Sequence, residues 1–305
     1  LAGPLQTAIH MRRKKLDFAE TQDRVVEKQV GLPDPLGSQS SRAKALGETV
    51  EPFINGALEI FEEAGWVFRK RFDDDDEVFI VKRDGRLHLD YYKNNLIHLF
   101  VADALLASAL LAGLDSKDKI DATTLQEDTK LLSRLLKYEF VYEPAIPFDT
   151  QFQRTLNHFI GRKWLRQVDD NTLQLSSRLK PLVRLYAKLV QNFIESYLVL
   201  GRALPSLGVA PMTAKAFVSH CQKAADKQFE LGEVYCHEAV SKVNLGNALR
   251  IFVEEGFVEE QMEVSGKRNV KMLRVESGRQ TAVQFAVFVK RIELFHEPWR
   301  GPVGN

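Results

Sequence analysis

The residues of this chain with the clearest chemical spacing are His98 and Asp103, within His98-Leu-Phe-Val-Ala-Asp103. H-x4-D is the spacing at which acyl transfer can use a histidine base beside an orienting aspartate. On a straight helix, five steps of about 100° put the two side chains about 140° apart and about 7.5 Å along the axis. The pattern is therefore expected to be silent here, a polar pair satisfied at a helix or domain contact. No Gly-rich or Arg-bearing phosphate motif follows it.

Other constellations are weaker. Cys236-His237-Glu238 has Ser at 241, where an H-E-x-x-H zinc site needs its second His. Asp73 to Asp76 resembles a calcium loop only in charge, since Val78 stands where such a loop needs Gly. Gly266-Lys267-Arg268 lacks Walker-A spacing, and neither G-x-S-x-G nor G-x-G-x-x-G occurs. Cys221 and Cys236 form no CxxC pair and no metal spacing with His220 or His237, which argues against a disulfide or zinc scaffold and for a reducing compartment. The expectation is no catalytic residue, no metal and no cofactor in this chain.

The elements that must position these residues are mostly helical. Helical periodicity covers Leu5 to about Val30, with a break where Asp17 and Glu20 have capping-box spacing. A Pro, Gly and Ser-rich loop follows at 31–42, then a helix from Pro52 to Gly65. Further helices are expected from Lys93 to Leu114, Thr124 to Phe140, Asp149 to Ile160, Lys180 to Leu200, Ala214 to Phe229, His237 to Glu255 and Thr281 to Phe295. Short alternating runs, Trp66–Phe72 with Glu77–Lys82, Trp164–Val168 with Thr172–Leu175, and Phe257–Val264 with Val270–Val275, read as hairpins. The apolar run Leu96–Leu114 approaches spanning length, but His98 and Asp103 interrupt it, so a buried core helix is expected.

A self-similarity orders these elements. Ala57–Trp66 and Ala248–Phe257 match at their apolar positions and at the Gly before the closing aromatic; Thr155–Trp164 keeps the Leu, the Phe and the aromatic. Three tandem helix-helix-helix-hairpin units of winged-helix type follow, in a mainly α fold with short β-hairpins. The division is 1–90, 91–176 and 177–296, the last with an added C-terminal helix, and a tail at 297–305.

Across its 305 residues the chain is 45% hydrophobic and 27% charged, with a net charge of +1, so it can bury a core but offers no long-range field for nucleic acid. The helices that would enter a groove carry Glu51, Glu59, Glu62 and Glu63 in the first copy and Glu254-Glu255 in the third, which repel phosphate. Met11–Lys15 and Arg69–Arg71 leave a shallow contact with anionic headgroups open, against solvated faces as the plainer reading. The opening Leu1-Ala2-Gly3-Pro4 has neither an initiator Met nor a signal-peptide pattern, and reads as the start of a piece of a longer protein.

Leu87-His-Leu-Asp-Tyr-Tyr-Lys-Asn-Asn-Leu-Ile-His-Leu-Phe100 resembles a segment in the C-terminal region of the long glycerol-3-phosphate acyltransferases of bacteria and, more distantly, mitochondria. Tyr92, Asn94 and His98 match its Tyr, Asn and His. The resemblance continues through Met11–Phe18, Asp121–Phe140 and Ala248–Val275. It implies a parent that moves an acyl group from acyl-CoA or acyl-carrier protein to the sn-1 hydroxyl of glycerol 3-phosphate, in phospholipid synthesis. The family's catalytic His does not map to His98, and its Arg-containing and P-E-G-x-R-like motifs are missing from this sequence. The chain thus resembles the region after the catalytic domain: inactive alone, packing against that domain through Tyr92, Asn94 and His98, cytoplasmic and peripheral at the membrane through its parent. The competing expectation is a freestanding tandem winged-helix scaffold for protein interaction.

Overall fold

A computed structural model of the chain describes residues 52–71, 77–82, 84–140, 146–265, 268–275 and 278–296. The expectations for 1–51, for the Asp73–Asp76 tip, for Gly266-Lys267 and for the 297–305 tail lie outside the described residues. The fold is mainly helical with short antiparallel strand pairs. By contacts it divides into two compact units, Leu1–Leu99 and Phe100–Asn305.

The described part of the first unit is a helix over 52–63 (α1), strands β1 (Val67–Arg71) and β2 (Glu77–Val81), helix α2 (Gly85–Leu96) and a 3-10 turn at Ile97–Leu99. The strands pair antiparallel with Val67 opposite Val81. Glycine is required at the start of α2. A Cβ on Gly85 would lie 2.4 Å from the Trp66 carbonyl oxygen, so the helix rests directly on the backbone that enters the hairpin.

The second unit is built on two central helices. Helix α3 (Val101–Gly113) is buried on every side from Ala104 to Leu110 because its small and aliphatic residues leave no polar face. Around it pack α4 (Ala122–Leu135), α5 (Phe148–Gly161), α6 (Lys180–Lys188) and α11 (Arg279–His296). The other centre, α7 (Gln191–Ala203), is enclosed by α9 (Ala214–Glu230), α10 (Lys242–Glu254) and α11, with the short α8 (Ser206–Val209) following it in sequence. Strands β4 (Leu165–Gln167) and β5 (Thr172–Leu175) form the second hairpin, and β6 (Val258–Ser265) with β7 (Arg268–Val275) the third.

Several expectations are corrected. Lys93–Leu114 is not one helix: α2 ends at Leu96, the 3-10 turn follows, and α3 begins after Phe100. No Gly or Pro marks that break, so periodicity alone runs through it. Lys180–Leu200 divides at Leu189-Val190 into α6 and α7, and His237–Val240 is a 3-10 turn ahead of α10. The helix expected from Thr124 begins earlier, at Ala122, capped by the Asp121 carboxylate, which accepts the Thr124 N–H at 2.8 Å. The second hairpin also gains a third strand, β3 (Lys119–Asp121), with Ile120 opposite Leu173.

The self-similar segments share one geometry. α1, α5 and α10 each run into their hairpin through a residue of positive φ: Gly65 at 74°, Lys163 at 59° and Gly256 at 77°. The next N–H, of Trp66, Trp164 or Phe257, donates to Phe61, Phe159 or Phe252 at 2.9 to 3.0 Å, and the positive-φ residue donates to Glu62, Ile160 or Val253. This is the Schellman pair of bonds, and its customary apolar contact is the two rings, 6.0, 4.8 and 6.2 Å apart. Helix α9 ends with the same bonds at Gly232 but leads into no strand, so the aromatic and the strand after it distinguish the three.

Candidate interaction site

The residues drawn from the resemblance fall in the first unit. Tyr92 and Asn94 lie on α2 and His98 in the turn after it. One helical turn joins Tyr92 to His88, so both reach the same side. His88 stacks on Trp66 with ring centroids 4.7 Å apart and planes within 7°. Tyr92 meets Phe61 at 5.6 Å and Trp66 at 6.1 Å, which ties α1, the hairpin and α2 into one aromatic cluster. Asn94 and His98 are exposed. Tyr92 is therefore brought into the cluster, whereas Asn94 and His98 present themselves to solvent.

This cluster is incompletely covered. Tyr92 keeps 47% of its surface exposed, and Phe53, Ile60, Tyr91 and Leu96 are each more than half exposed. So much apolar area on one small unit marks an interaction surface more readily than a solvated one. Two of its arginines are already paired: Arg69 with Glu62 at 3.3 Å and Glu77 at 3.5 Å, and Arg71 with Glu77 at 2.7 Å. The basic run considered for headgroup contact is thus largely neutralised within its own unit.

His98 and Asp103 fall in different units. His98 is exposed, whereas Asp103 is buried on α3, where the imidazole that approaches it is that of His158, with Nδ1 3.7 Å from Oδ1. The Nε2 atom of His158 accepts from Arg162 Nε at 2.9 Å. An imidazole committed as an acceptor at Nε2 carries its proton on Nδ1 and has no nitrogen free to act as a base.

The second unit holds two carboxylates that sequence reasoning missed, because each lies in a stretch otherwise read as helix or core. Glu195 on α7 is buried and accepts from the backbone N–H groups of Tyr235 at 3.1 Å and Cys236 at 2.8 Å, while His296 Nε2 stands 3.0 Å from its Oε1. It clamps the end of α11 and the 235–236 segment to the central helix. Glu139 accepts from Tyr197 Oη at 3.2 Å and Asn247 Nδ2 at 3.1 Å, and burial pushes its carboxyl up to about 7 against those two donors. The only sequence sign of either site is a Glu beside apolar residues, Tyr138 and Phe140 for Glu139 and Ile194 for Glu195.

The remaining candidates are structural in their surroundings. Burial pushes the Cys221 thiol up to about 12, which leaves no thiolate for attack or metal binding near neutral pH. His220 stacks against Phe217 and His237 meets the edge of Phe229. No group of three or more His, Cys, Asp or Glu that could hold a metal occurs among the described residues. The acidic residues weighed against duplex binding are partly paired, Glu255 with Arg134 at 2.8 Å and Glu254 with Lys137 at 2.5 Å. Among the described residues, no helix is long and apolar enough to cross a membrane.

Comparison with known proteins adds a family. Residues 34–261 match the family described as the glycerol-3-phosphate acyltransferase C-terminal region. A glycerol-3-phosphate acyltransferase of Haemophilus ducreyi (strain 35000HP / ATCC 700724) is 26% identical over 128 residues. That alignment covers 42% of this chain and 15% of the length of the relative.

Proposed function

Because the chain belongs to the glycerol-3-phosphate acyltransferase C-terminal family, we propose that it is the non-catalytic C-terminal region of such an enzyme. In this reading an upstream H-x4-D domain transfers the acyl group from acyl-CoA or acyl-carrier protein to the sn-1 hydroxyl of glycerol 3-phosphate. The present chain packs against that domain and stabilises it, and the parent holds it in the cytoplasm at the periphery of the membrane. The contact runs over the first unit, with Tyr92, Asn94 and His98 on or beside the covered face.

One observation carries this reading. The first unit leaves an aromatic cluster half covered and exposes Phe53, Ile60, Tyr91 and Leu96, while Arg69 and Arg71 are paired with Glu62 and Glu77. Such a face gains by burial against another apolar surface, at roughly 25 cal/mol per Å² removed from water. The exposed imidazole of His98 then needs a partner across the contact, since a buried polar group without one costs on the order of 1–3 kcal/mol.

The experiment uses the full-length parent. Tyr92→Ala with Asn94→Ala is expected to lower the melting temperature or the turnover, while the isolated 305-residue chain is expected to show no acyl transfer. Unchanged melting and turnover in the double variant would remove the proposed contact. Transfer by the isolated chain would remove the non-catalytic role.

The three junctions also support a second reading, in which the divisions 1–90, 91–176 and 177–296 are copies of one winged-helix unit in a freestanding interaction scaffold. The sequence encoded upstream of Leu1 separates the two. An H-x4-D followed by an Arg-bearing phosphate motif favours the acyltransferase; any other domain favours the scaffold.

A further inference from the structure

Between Asp170 and Glu195 the chain contains Arg178, Lys180, Arg184 and Lys188 and no acidic residue, although its net charge is only +1. The structure folds this stretch into β5, a 3-10 turn and α6. Helix α6 buries Val183, Tyr186 and Ala187 and packs on α3, so its opposite face is held outward on a firm base. That outer face carries Pro181, Arg184, Leu185 and Lys188, all exposed, with Arg178 exposed just before the helix. Lys180 is not part of it, since its Nζ lies 2.6 Å from Asp118 Oδ1. Arg178 and Arg184 make no ion pair with any described residue. Leu185 is 59% exposed among these cations.

We propose that this face of α6 is a contact site for an anionic lipid surface, with Arg178 and Arg184 meeting lipid phosphates and Leu185 entering the headgroup boundary. Charge complementarity demands a negative partner, and the exposed leucine between cations fits one that is apolar just beneath its charge. The size of the face decides between partners. A specific protein interface buries roughly 800 Å² per side over about 20–30 residues, whereas this face presents Arg178, Pro181, Arg184, Leu185 and Lys188. A fluid lipid surface needs no such complementarity, and basic residues near it are drawn to its phosphates. This inference does not rest on acyl transfer and would stand for a freestanding scaffold as well.

The test is co-sedimentation of the 305-residue chain with phosphatidylglycerol–phosphatidylcholine vesicles and with pure phosphatidylcholine vesicles. Preferential binding to the anionic vesicles that weakens with salt is expected. Arg178→Glu with Arg184→Glu should lower that binding at least tenfold, and Leu185→Ser should lower it by a smaller factor without changing charge. Both alter exposed side chains, and melting curves confirm the fold. Lys223→Glu with Lys227→Glu on the exposed side of α9 makes the same charge change elsewhere and should leave most of the binding. Equal loss in the two charge variants would reduce the effect to net charge and overturn the proposal. So would equal binding to neutral vesicles, or retention on polyglutamate with no binding to vesicles.

Discussion

The first and third copies of the helix-to-hairpin junction share a backbone and differ in what covers them. In the third, Phe252 and Phe257 lie beneath α11, whose Phe285 and Phe288 meet both rings at 5.2 to 6.2 Å. The second is enclosed too, with Phe159 and Trp164 buried and Tyr186 5.4 Å from Trp164. Among the described residues the first has His88 and Tyr92 over Phe61 and Trp66, and all four rings keep some exposure. The Schellman bonds, the positive φ and the ring pair are therefore local properties of about ten residues. Burial is not, because it depends on which helix follows. The copy without a full cover is the one in which Tyr92, Asn94 and His98 lie.

Truncating the equivalent phenylalanines should expose this difference most strongly. Phe252→Ala removes a ring with no solvent exposure and is expected to destabilise the second unit by about 3–5 kcal/mol. Phe61→Ala removes a half-buried ring and should cost about half as much. Denaturant unfolding of the two variants measures both; equal losses would mean that the first copy is as well covered as the third.

Gly85→Ala tests the first unit at a backbone contact. The added methyl would overlap the Trp66 carbonyl, so α2 must lift off the hairpin, at a cost of about 1–3 kcal/mol. The signature is loss of the Trp66 environment: its fluorescence should shift towards that of exposed indole, while Trp164 in the second unit keeps its own. A Trp66→Phe background isolates the remaining signals. No change in emission would show that α2 does not rest on Trp66.

The second unit should respond to pH through Glu139. Its folded-state value near 7 lies above the usual 4.5, so its contribution to stability is full below about 4.5 and is lost as pH rises through about 7. Glu139→Gln keeps a neutral side chain at every pH and should gain on the wild type by on the order of 1–2 kcal/mol between about pH 5 and pH 8. A melting difference that stays constant over that range would contradict a carboxyl held neutral by burial.

Much of this comparison is legible in the order of residues alone. The hairpins and the matched Leu, Phe and aromatic positions follow from alternation and spacing, because strands and helix ends are set by near neighbours. The features that spacing conceals are set by distant residues. The break at Phe100 and the division at Leu189-Val190 carry no Gly or Pro, and β3 exists only because Ile120 finds Leu173. For the site, the sequence points to Tyr92, Asn94 and His98, but not to Tyr92 alone joining the ring cluster. His158, not His98, is the imidazole that approaches Asp103. Glu139 and Glu195 are invisible in the sequence because their donors come from residues 40 to 108 positions away.

The smallest expected effect isolates the one place where the copies differ in backbone chemistry. The first and third junctions use glycine at the left-handed position, and the second uses Lys163 at φ 59°. A side chain there costs about 1–2 kcal/mol relative to the right-handed region, whereas glycine adopts it freely but loses more entropy on folding. Lys163→Gly should therefore stabilise the second unit, by about 0.5–1 kcal/mol after the entropy of the unfolded chain is subtracted. Gly256→Lys, the reverse change at the third junction, should destabilise by a similar amount, since no neighbouring atom obstructs a side chain there. If both substitutions destabilise, Lys163 contributes more through its side chain than its backbone costs, and the middle junction is held by contacts that the other two lack.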